Sequence, residues 1–333
     1  MKDNGTNCYL GEISKYRTEC MGFSFFFVLG VHSLDVGVTY SSFATFLSKV
    51  FSYGQIGVNI FFLLSGLGMY YSLNKKQGLS KFYTRRVLTI IPSYLIISIP
   101  VFFIVDCILD KLSLSIFLQD VTFVRYWSKG VGFWYIALQM VFYVIIPFHD
   151  SICCRLGTKR WIMNLAIIVL SLYTSQLLYG ISLKQVGLLF ERYAVFIAGY
   201  WLAEYVEKNI RLPILVVIIL IISIWFRRFL PSFLQNVAIN VSYCVTGFGL
   251  CCLLTFCLQR MALLSKILKI IGSVTLEYYM LNVSSNWILI RMNLLKDDLF
   301  TVVYWFFSGV VSFIIALLIH KFISYVIKRS KNQ

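Results

Sequence analysis

Residues 87–106 read V-L-T-I-I-P-S-Y-L-I-I-S-I-P-V-F-F-I-V-D, a run in which only the last residue is charged. A helix needs about 20 mostly apolar residues to cross a bilayer, so this run is long enough for one crossing. Because the bilayer core holds no water to satisfy backbone N–H and C=O groups, a crossing segment of this kind must be helical. The run therefore predicts a transmembrane helix.

The rest of the chain has the same character. Of its 333 residues 59% are hydrophobic, 17% are aromatic and only 13% are charged, whereas about a quarter of the residues of a soluble domain are charged. We therefore predict an all-α integral membrane protein, a single membrane domain over residues 1–333 with about ten transmembrane helices. The predicted spans are 21–40, 55–73, 87–106, 131–149, 161–180, 186–205, 212–230, 236–258, 267–290 and 300–326.

The net charge of +16 reflects basic residues that lie in short clusters between the apolar segments. They form no continuous basic face, so the charge does not indicate a nucleic-acid partner. When lysines and arginines are assigned to alternate sides of the predicted spans, one side carries twenty and the other ten. Cytoplasmic loops carry the excess of positive charge, so both termini are predicted to be cytoplasmic.

His32 is a candidate catalytic residue because it follows the apolar run 23–31 at the predicted depth of the bilayer. An ionisable side chain there is costly unless it has a partner or a task, although a histidine can equally be a structural hydrogen-bonding group between helices. Arg17 lies fifteen residues earlier, about 22 Å along a helix and on roughly the same side. His149 and His320 lie near predicted cytoplasmic ends, where a solvated or interfacial histidine is expected.

Two motifs stand out, one within the second predicted span and one that leads into the third. Residues 57–66 read G-V-N-I-F-F-L-L-S-G, and residues 81–92 read K-F-Y-T-R-R-V-L-T-I-I-P. Arg85 and Arg86 are typical of groups that bind phosphates in a bidentate manner. Taken alone, the pair is better explained as a positive-inside anchor than as a phosphate site. No cysteine and histidine spacing indicates a metal site, and the nine cysteines read as small buried hydrophobes.

Together these motifs resemble the acyltransferase family 3 membrane proteins, which O-acylate bacterial surface sugars. Residues 133–136, F-W-Y-I, and residues 271–281, I-G-S-V-T-L-E-Y-Y-M-L, resemble two further helices of the family. The resemblance implies an acyl-CoA donor, a bacterial cytoplasmic membrane and an essential histidine in the first helix, which falls on His32. Glu277 is the second candidate catalytic residue, either to orient His32 or the acceptor hydroxyl, or as a helix–helix hydrogen-bonding group.

The sequence departs from the family pattern at four positions. Arginine is common where Met21 stands, and Arg17 lies one helical turn earlier and could replace it. Asn59 stands where aspartate is usual, and Thr89 where a further arginine is usual. Asn282 occupies a position where many relatives carry histidine.

The sequence therefore predicts a membrane O-acetyltransferase that moves acetyl from acetyl-CoA to a sugar hydroxyl of an exported polysaccharide or glycolipid. Arg17, Arg85 and Arg86 are the predicted coenzyme-binding residues. No appended SGNH-type esterase domain is expected, so the membrane domain transfers the group itself or passes it to a separate protein. The alternative is a flippase or transporter of a lipid-linked glycan, which would have buried charges and many spans without chemistry.

Overall fold

The fold is described from a computed structural model over residues 7–35, 52–75, 78–225, 232–294 and 298–331. Within these ranges helices dominate, as predicted, and two three-residue strands were not predicted. The strands are β1, Asn7–Tyr9, and β2, Arg211–Pro213, which pair antiparallel with Cys8 opposite Leu212. Proline has no backbone N–H to donate to a paired strand. Pro213 is tolerated because it lies at the end of its strand.

The helices alternate with short turns along the described ranges. They are α1 Gly11–Lys15, α2 Arg17–Asp35, α3 Gln55–Asn74, α4 Leu79–Phe102, α5 Leu114–Val121, α6 Val124–Lys129, α7 Trp134–Leu156, α8 Arg160–Gly180, α9 Lys184–Glu207, α10 Ile214–Ile222, α11 Ser232–Leu258, α12 Ala262–Ser273, α13 Thr275–Arg291 and α14 Asp298–Lys331. A π-helix, Phe103–Leu109, continues α4. It follows Pro100, which removes one backbone donor and disturbs the regular helical ladder.

Contacts within the chain group it into two compact units. The first unit comprises Met1–Ser24, Gln55–Gln77 and Leu138–Ser273, and the second comprises Phe25–Gly54, Gly78–Ala137 and Val274–Gln333. The prediction of a single membrane domain over residues 1–333 stays a prediction.

In the first unit α3 and α9 pack closely through glycine. A Cβ atom added to Gly66 would overlap the carbonyl oxygen of Phe196, and one added to Gly199 would overlap that of Leu63. Small residues allow helix backbones to approach each other closely where lipid tails provide no hydrophobic drive for association.

The second unit contains α4, α13 and α14. Ser93 contacts Glu277 and Phe102 stacks on Trp287, so α4 and α13 run in the same direction. Tyr278, near the start of α13, contacts Phe313 of α14 at 5.3 Å between ring centroids, and Glu277 contacts His320 further along α14. The start of α4 and the end of α14 therefore lie at the same end of this unit.

Six helices or helical runs in the described ranges are long and apolar enough to cross a membrane: Gln55–Asn74, Leu79–Leu109, Trp134–Gly180, Lys184–Glu207, Val237–Leu258 and Val303–Arg329. They support a multi-pass helical membrane protein. The count of ten and the cytoplasmic termini remain predictions. The ends of the predicted spans 21–40 and 212–230 lie outside the described residues, as do several basic residues used to orient the chain: Lys2, Lys49, Lys76, Arg227, Arg228 and Lys296.

The predicted span 267–290 is not one continuous helix. α12 ends at Ser273 and α13 begins at Thr275, because Val274 between them has φ −119° and ψ 15°. The Ser273 hydroxyl donates to the carbonyl oxygen of Ile270 at 2.7 Å, a local bond that bends helices. Apolar composition predicted the helical content of this segment but not its interruption.

Candidate functional site

His32 is held against one face of α13 in the second unit. Its main-chain carbonyl oxygen accepts a hydrogen bond from Asn286 Nδ2 at 2.9 Å, and its ring centroid is 6.1 Å from that of Tyr279. Tyr279 and Asn286 are seven residues apart, two helical turns, so both project from the same side of α13. The imidazole is half-buried. A half-buried imidazole can accept a proton or attack a thioester.

Aromatic rings surround Tyr279 beside His32. The Tyr279 ring is 5.9 Å from Tyr135 and 6.3 Å from Phe133, between centroids, and Phe133 is completely buried. Both residues come from the F-W-Y-I motif at the start of α7. The motif thus gives this side of α13 a largely apolar setting, in which electrostatic interactions are stronger than in water.

Glu277 lies in the first turn of α13 and is buried. Its Oε1 accepts a hydrogen bond from the Ser93 hydroxyl at 2.8 Å and is 3.2 Å from His320 Nδ1. A carboxylate only accepts, so His320 presents Nδ1–H to Glu277, and its other ring nitrogen is the basic one. Glu277 therefore has a histidine neighbour in His320, and its predicted role toward His32 or the acceptor hydroxyl stays a prediction.

The sequence did not reveal the partnership of Glu277 and His320. The two residues are 43 positions apart on different helices. His320, expected to be solvated or interfacial, has 40% of its side chain exposed and forms this pair. The expectation for His149 was wrong, since His149 is 3% exposed and its Nε2 is 2.8 Å from Asn164 Oδ1.

Arg85 and Arg86 point to different sides of α4 because successive helical residues are about 100° apart. Arg86 is half-buried and its guanidinium lies 5.4 Å from the centroid of the Phe82 ring. It shares a helix face with Ser93, seven residues later. Arg85 is exposed on the neighbouring side. Both belong to the second unit, as does His32.

Arg17 belongs to the first unit. Its Nε donates to the carbonyl oxygen of Leu64 at 2.9 Å, and its guanidinium covers Gly68, where an added Cβ would lie 2.7 Å from Nη2. Arg17 therefore ties α2 to α3. Its predicted part in coenzyme binding is not visible in these contacts and stays a prediction.

The comparison with known families agrees with the motifs. The family model described as an acyltransferase domain, acyltransferase 3, matches residues 22–321. The chain belongs to the acyltransferase family 3. The match favours an enzyme over the flippase alternative, and it includes His32, Arg85, Arg86 and Glu277 but not Arg17. No curated protein and no solved structure matches the chain.

This family 3 acyltransferase also contains a buried charge network around Arg192 of α9, within the predicted span 186–205. Arg192 Nη1 donates to Asn59 Oδ1, and Arg192 Nη2 donates to Gln55 Oε1 at 2.7 Å and lies 3.2 Å from Glu191 Oε1. The Tyr179 hydroxyl donates to Glu191 Oε2 at 2.9 Å. Asn59 stands where aspartate is usual in the family. It contacts Arg192, and the carboxylate that pairs with Arg192 is that of Glu191, the preceding residue on α9.

No group of three histidine, cysteine, aspartate or glutamate side chains in the described ranges could hold a metal ion. The candidate site consists of His32 with Tyr279 and Asn286, and of Glu277 with His320 and Ser93.

Proposed function

We propose that this acyltransferase moves an acetyl group from acetyl-CoA to a sugar hydroxyl of an exported polysaccharide or glycolipid, in a bacterial cytoplasmic membrane. The observation that carries the proposal is the position of His32. Within the region that matches the family, its half-buried imidazole lies beside the Tyr279 ring while Asn286 fixes its main chain.

His32 acts in one of two ways on this proposal. As a general base it takes the proton of the acceptor hydroxyl while that oxygen attacks the thioester carbonyl. As a nucleophile it carries the acetyl group briefly before the acceptor takes it. Both roles require a neutral imidazole. The aromatic rings around Tyr279 support either role, because excluding water limits hydrolysis of the thioester.

Glu277 acts through His320 on this proposal. A carboxylate that accepts a hydrogen bond from Nδ1–H of a histidine fixes the ring and keeps the other nitrogen basic. A third group orients the catalytic base in the same way in catalytic triads. Glu277 is buried, and its bonds to Ser93 and His320 link α4, α13 and α14. The pair therefore supplies a second basic group in the same unit as His32.

The donor binds by its phosphates at the start of α4 on this proposal, with Arg85 and Arg86 as the contacts. Arginine is suited to this task because its planar fork binds phosphate oxygens in a bidentate manner. The predicted orientation places this end of α4 in the cytoplasm, where acetyl-CoA is available. Transfer of radiolabelled acetyl from acetyl-CoA to membrane glycan by the purified protein tests the proposal.

Replacing both Arg85 and Arg86 with alanine is expected to raise the KM for acetyl-CoA at least about tenfold. A hydrogen bond to a charged group contributes about 1.5–3 kcal/mol, and two such donors are removed. Lysine at both positions should recover only part of the loss, because a point charge does not reproduce the fork. Initial rates measured over a range of acetyl-CoA concentrations give the KM.

The matched control removes two other basic residues at a predicted cytoplasmic loop, Arg155→Ala with Lys159→Ala, and should leave the KM unchanged. If the Arg85 and Arg86 variant is well expressed and its acetyl-CoA kinetics equal those of the unmodified protein, the pair is only a topology anchor.

A further inference from the structure

Asn282 lies on the face of α13 that contacts His32. It is three residues after Tyr279 and four before Asn286, so the three side chains lie along one side of the helix over about 10 Å. Tyr279 and Asn286 both contact His32. The Asn282 amide is therefore placed between two groups that hold the candidate catalytic histidine.

The Asn282 side chain is buried without a partner. The residue is 1% exposed, and in the described part of the chain neither Nδ2 nor Oδ1 has a hydrogen-bond partner. Asn286 uses Nδ2 for the His32 carbonyl oxygen, and its Oδ1 has no partner in the same ranges. A buried polar group without a hydrogen-bond partner is unfavourable, because it has lost its bonds to water. This cost is recovered when a ligand supplies the missing partner.

We propose that Asn282 Nδ2 donates a hydrogen bond to the carbonyl oxygen of the acyl group that is transferred. The proposal rests on the proposed acetyl transfer and adds a residue that touches the reacting atoms. His32 accepts the proton of the acceptor hydroxyl. The carbonyl oxygen of the thioester gains negative charge during the attack, so it still needs a hydrogen-bond donor. Asparagine side chains are among the donors that stabilise such oxyanions, especially where water is excluded.

In the chemical step the acceptor oxygen forms a bond to the thioester carbon while its proton passes to His32. The electron pair of the carbonyl moves onto its oxygen, which Asn282 stabilises. The oxyanion then collapses, the carbon–sulfur bond breaks, and the coenzyme thiolate takes the proton from His32. The same oxyanion forms if water replaces the acceptor, or if His32 itself attacks the carbonyl.

The test compares Asn282→Leu with the unmodified protein, because leucine keeps the branched shape and the number of side-chain heavy atoms of asparagine and removes its amide. We expect kcat to fall about 10²–10³-fold, the cost of removing one oxyanion donor. The KM for acetyl-CoA should stay within about twofold. Hydrolysis of acetyl-CoA without acceptor should fall in parallel, and the melting temperature should be unchanged or higher, because an unpaired buried amide has been removed.

Two further variants keep the result interpretable. Asn282→Ala also removes the amide and should show the same loss of kcat, which separates the loss of the amide from any change in packing caused by leucine. Ser284→Ala, on the same helix, removes a buried hydroxyl that already donates to the Met280 carbonyl oxygen at 2.6 Å and should leave kcat unchanged.

Normal kcat in both folded Asn282 variants would overturn the assignment. So would a rise in acceptor KM with normal hydrolysis, because that result places Asn282 on the acceptor. Absence of acetyl transfer by the unmodified protein would instead count against the proposed function.

Discussion

Replacing His32 with glutamine is expected to lower the rate of glycan acetylation by about 10²–10⁴-fold, the range that a general base contributes. Glutamine keeps polarity and approximate size but cannot usefully accept a proton. The hydrogen bond from Asn286 survives, because it uses the main-chain carbonyl oxygen of residue 32. Initial rates of label transfer at saturating acetyl-CoA measure the effect, and His32→Ala should nearly abolish transfer.

His320→Gln is the informative companion, because Glu277 orients His320. A well-folded His32→Gln protein that retains substantial transfer would show that His32 is structural. Loss of transfer in His320→Gln with retention in His32→Gln would assign the base to His320 instead. Melting temperatures of both variants exclude misfolding as the cause.

Replacing Glu191 with glutamine is expected to destabilise the protein by about 3 kcal/mol, because it leaves the buried Arg192 charge without a carboxylate. Arg192 is 3% exposed and Glu191 is 6% exposed, so water cannot replace the lost partner. Asn59 already accepts a hydrogen bond from Arg192. Adding Asn59→Asp should therefore restore the carboxylate from α3 and recover most of the lost free energy of unfolding.

The free energy of unfolding in detergent measures this effect. Asn59→Asp alone should destabilise, because two buried carboxylates then share one arginine. Glu204→Gln is the matched control: its partner Arg160 is 38% exposed, so water can solvate the guanidinium after the substitution and the loss of stability should be smaller. This account of the network would be contradicted if adding Asn59→Asp to Glu191→Gln left the free energy of unfolding unchanged.

Much of the fold followed from apolar composition. Helices cover the predicted segments 55–73 and 236–258, because long apolar runs leave the backbone no other way to satisfy its polar groups in lipid. The break at Val274 and the pairing of β1 with β2 depend on local bonds and distant contacts that composition does not carry. The family resemblance, carried by short motifs, is confirmed by the match over residues 22–321.

The candidate site was predictable only in part. His32 could be selected because an ionisable residue in an apolar run is rare, and Glu277 for the same reason. Their partners could not, since apolar helices give little indication of which faces meet. Asn282 was noted only as a departure from the family pattern. Its burial without a hydrogen-bond partner in the described ranges, and its place between Tyr279 and Asn286, are properties of the folded chain.

The most direct test of acetyl transfer follows radiolabelled acetyl-CoA with purified protein in vesicles that contain membrane glycan. We predict that label appears in the glycan as an ester released by mild alkali, at a rate proportional to the amount of protein, and that His32→Gln vesicles stay at background. Folded protein that moves the glycan across the vesicle membrane without transferring any label would contradict this account and support the flippase alternative.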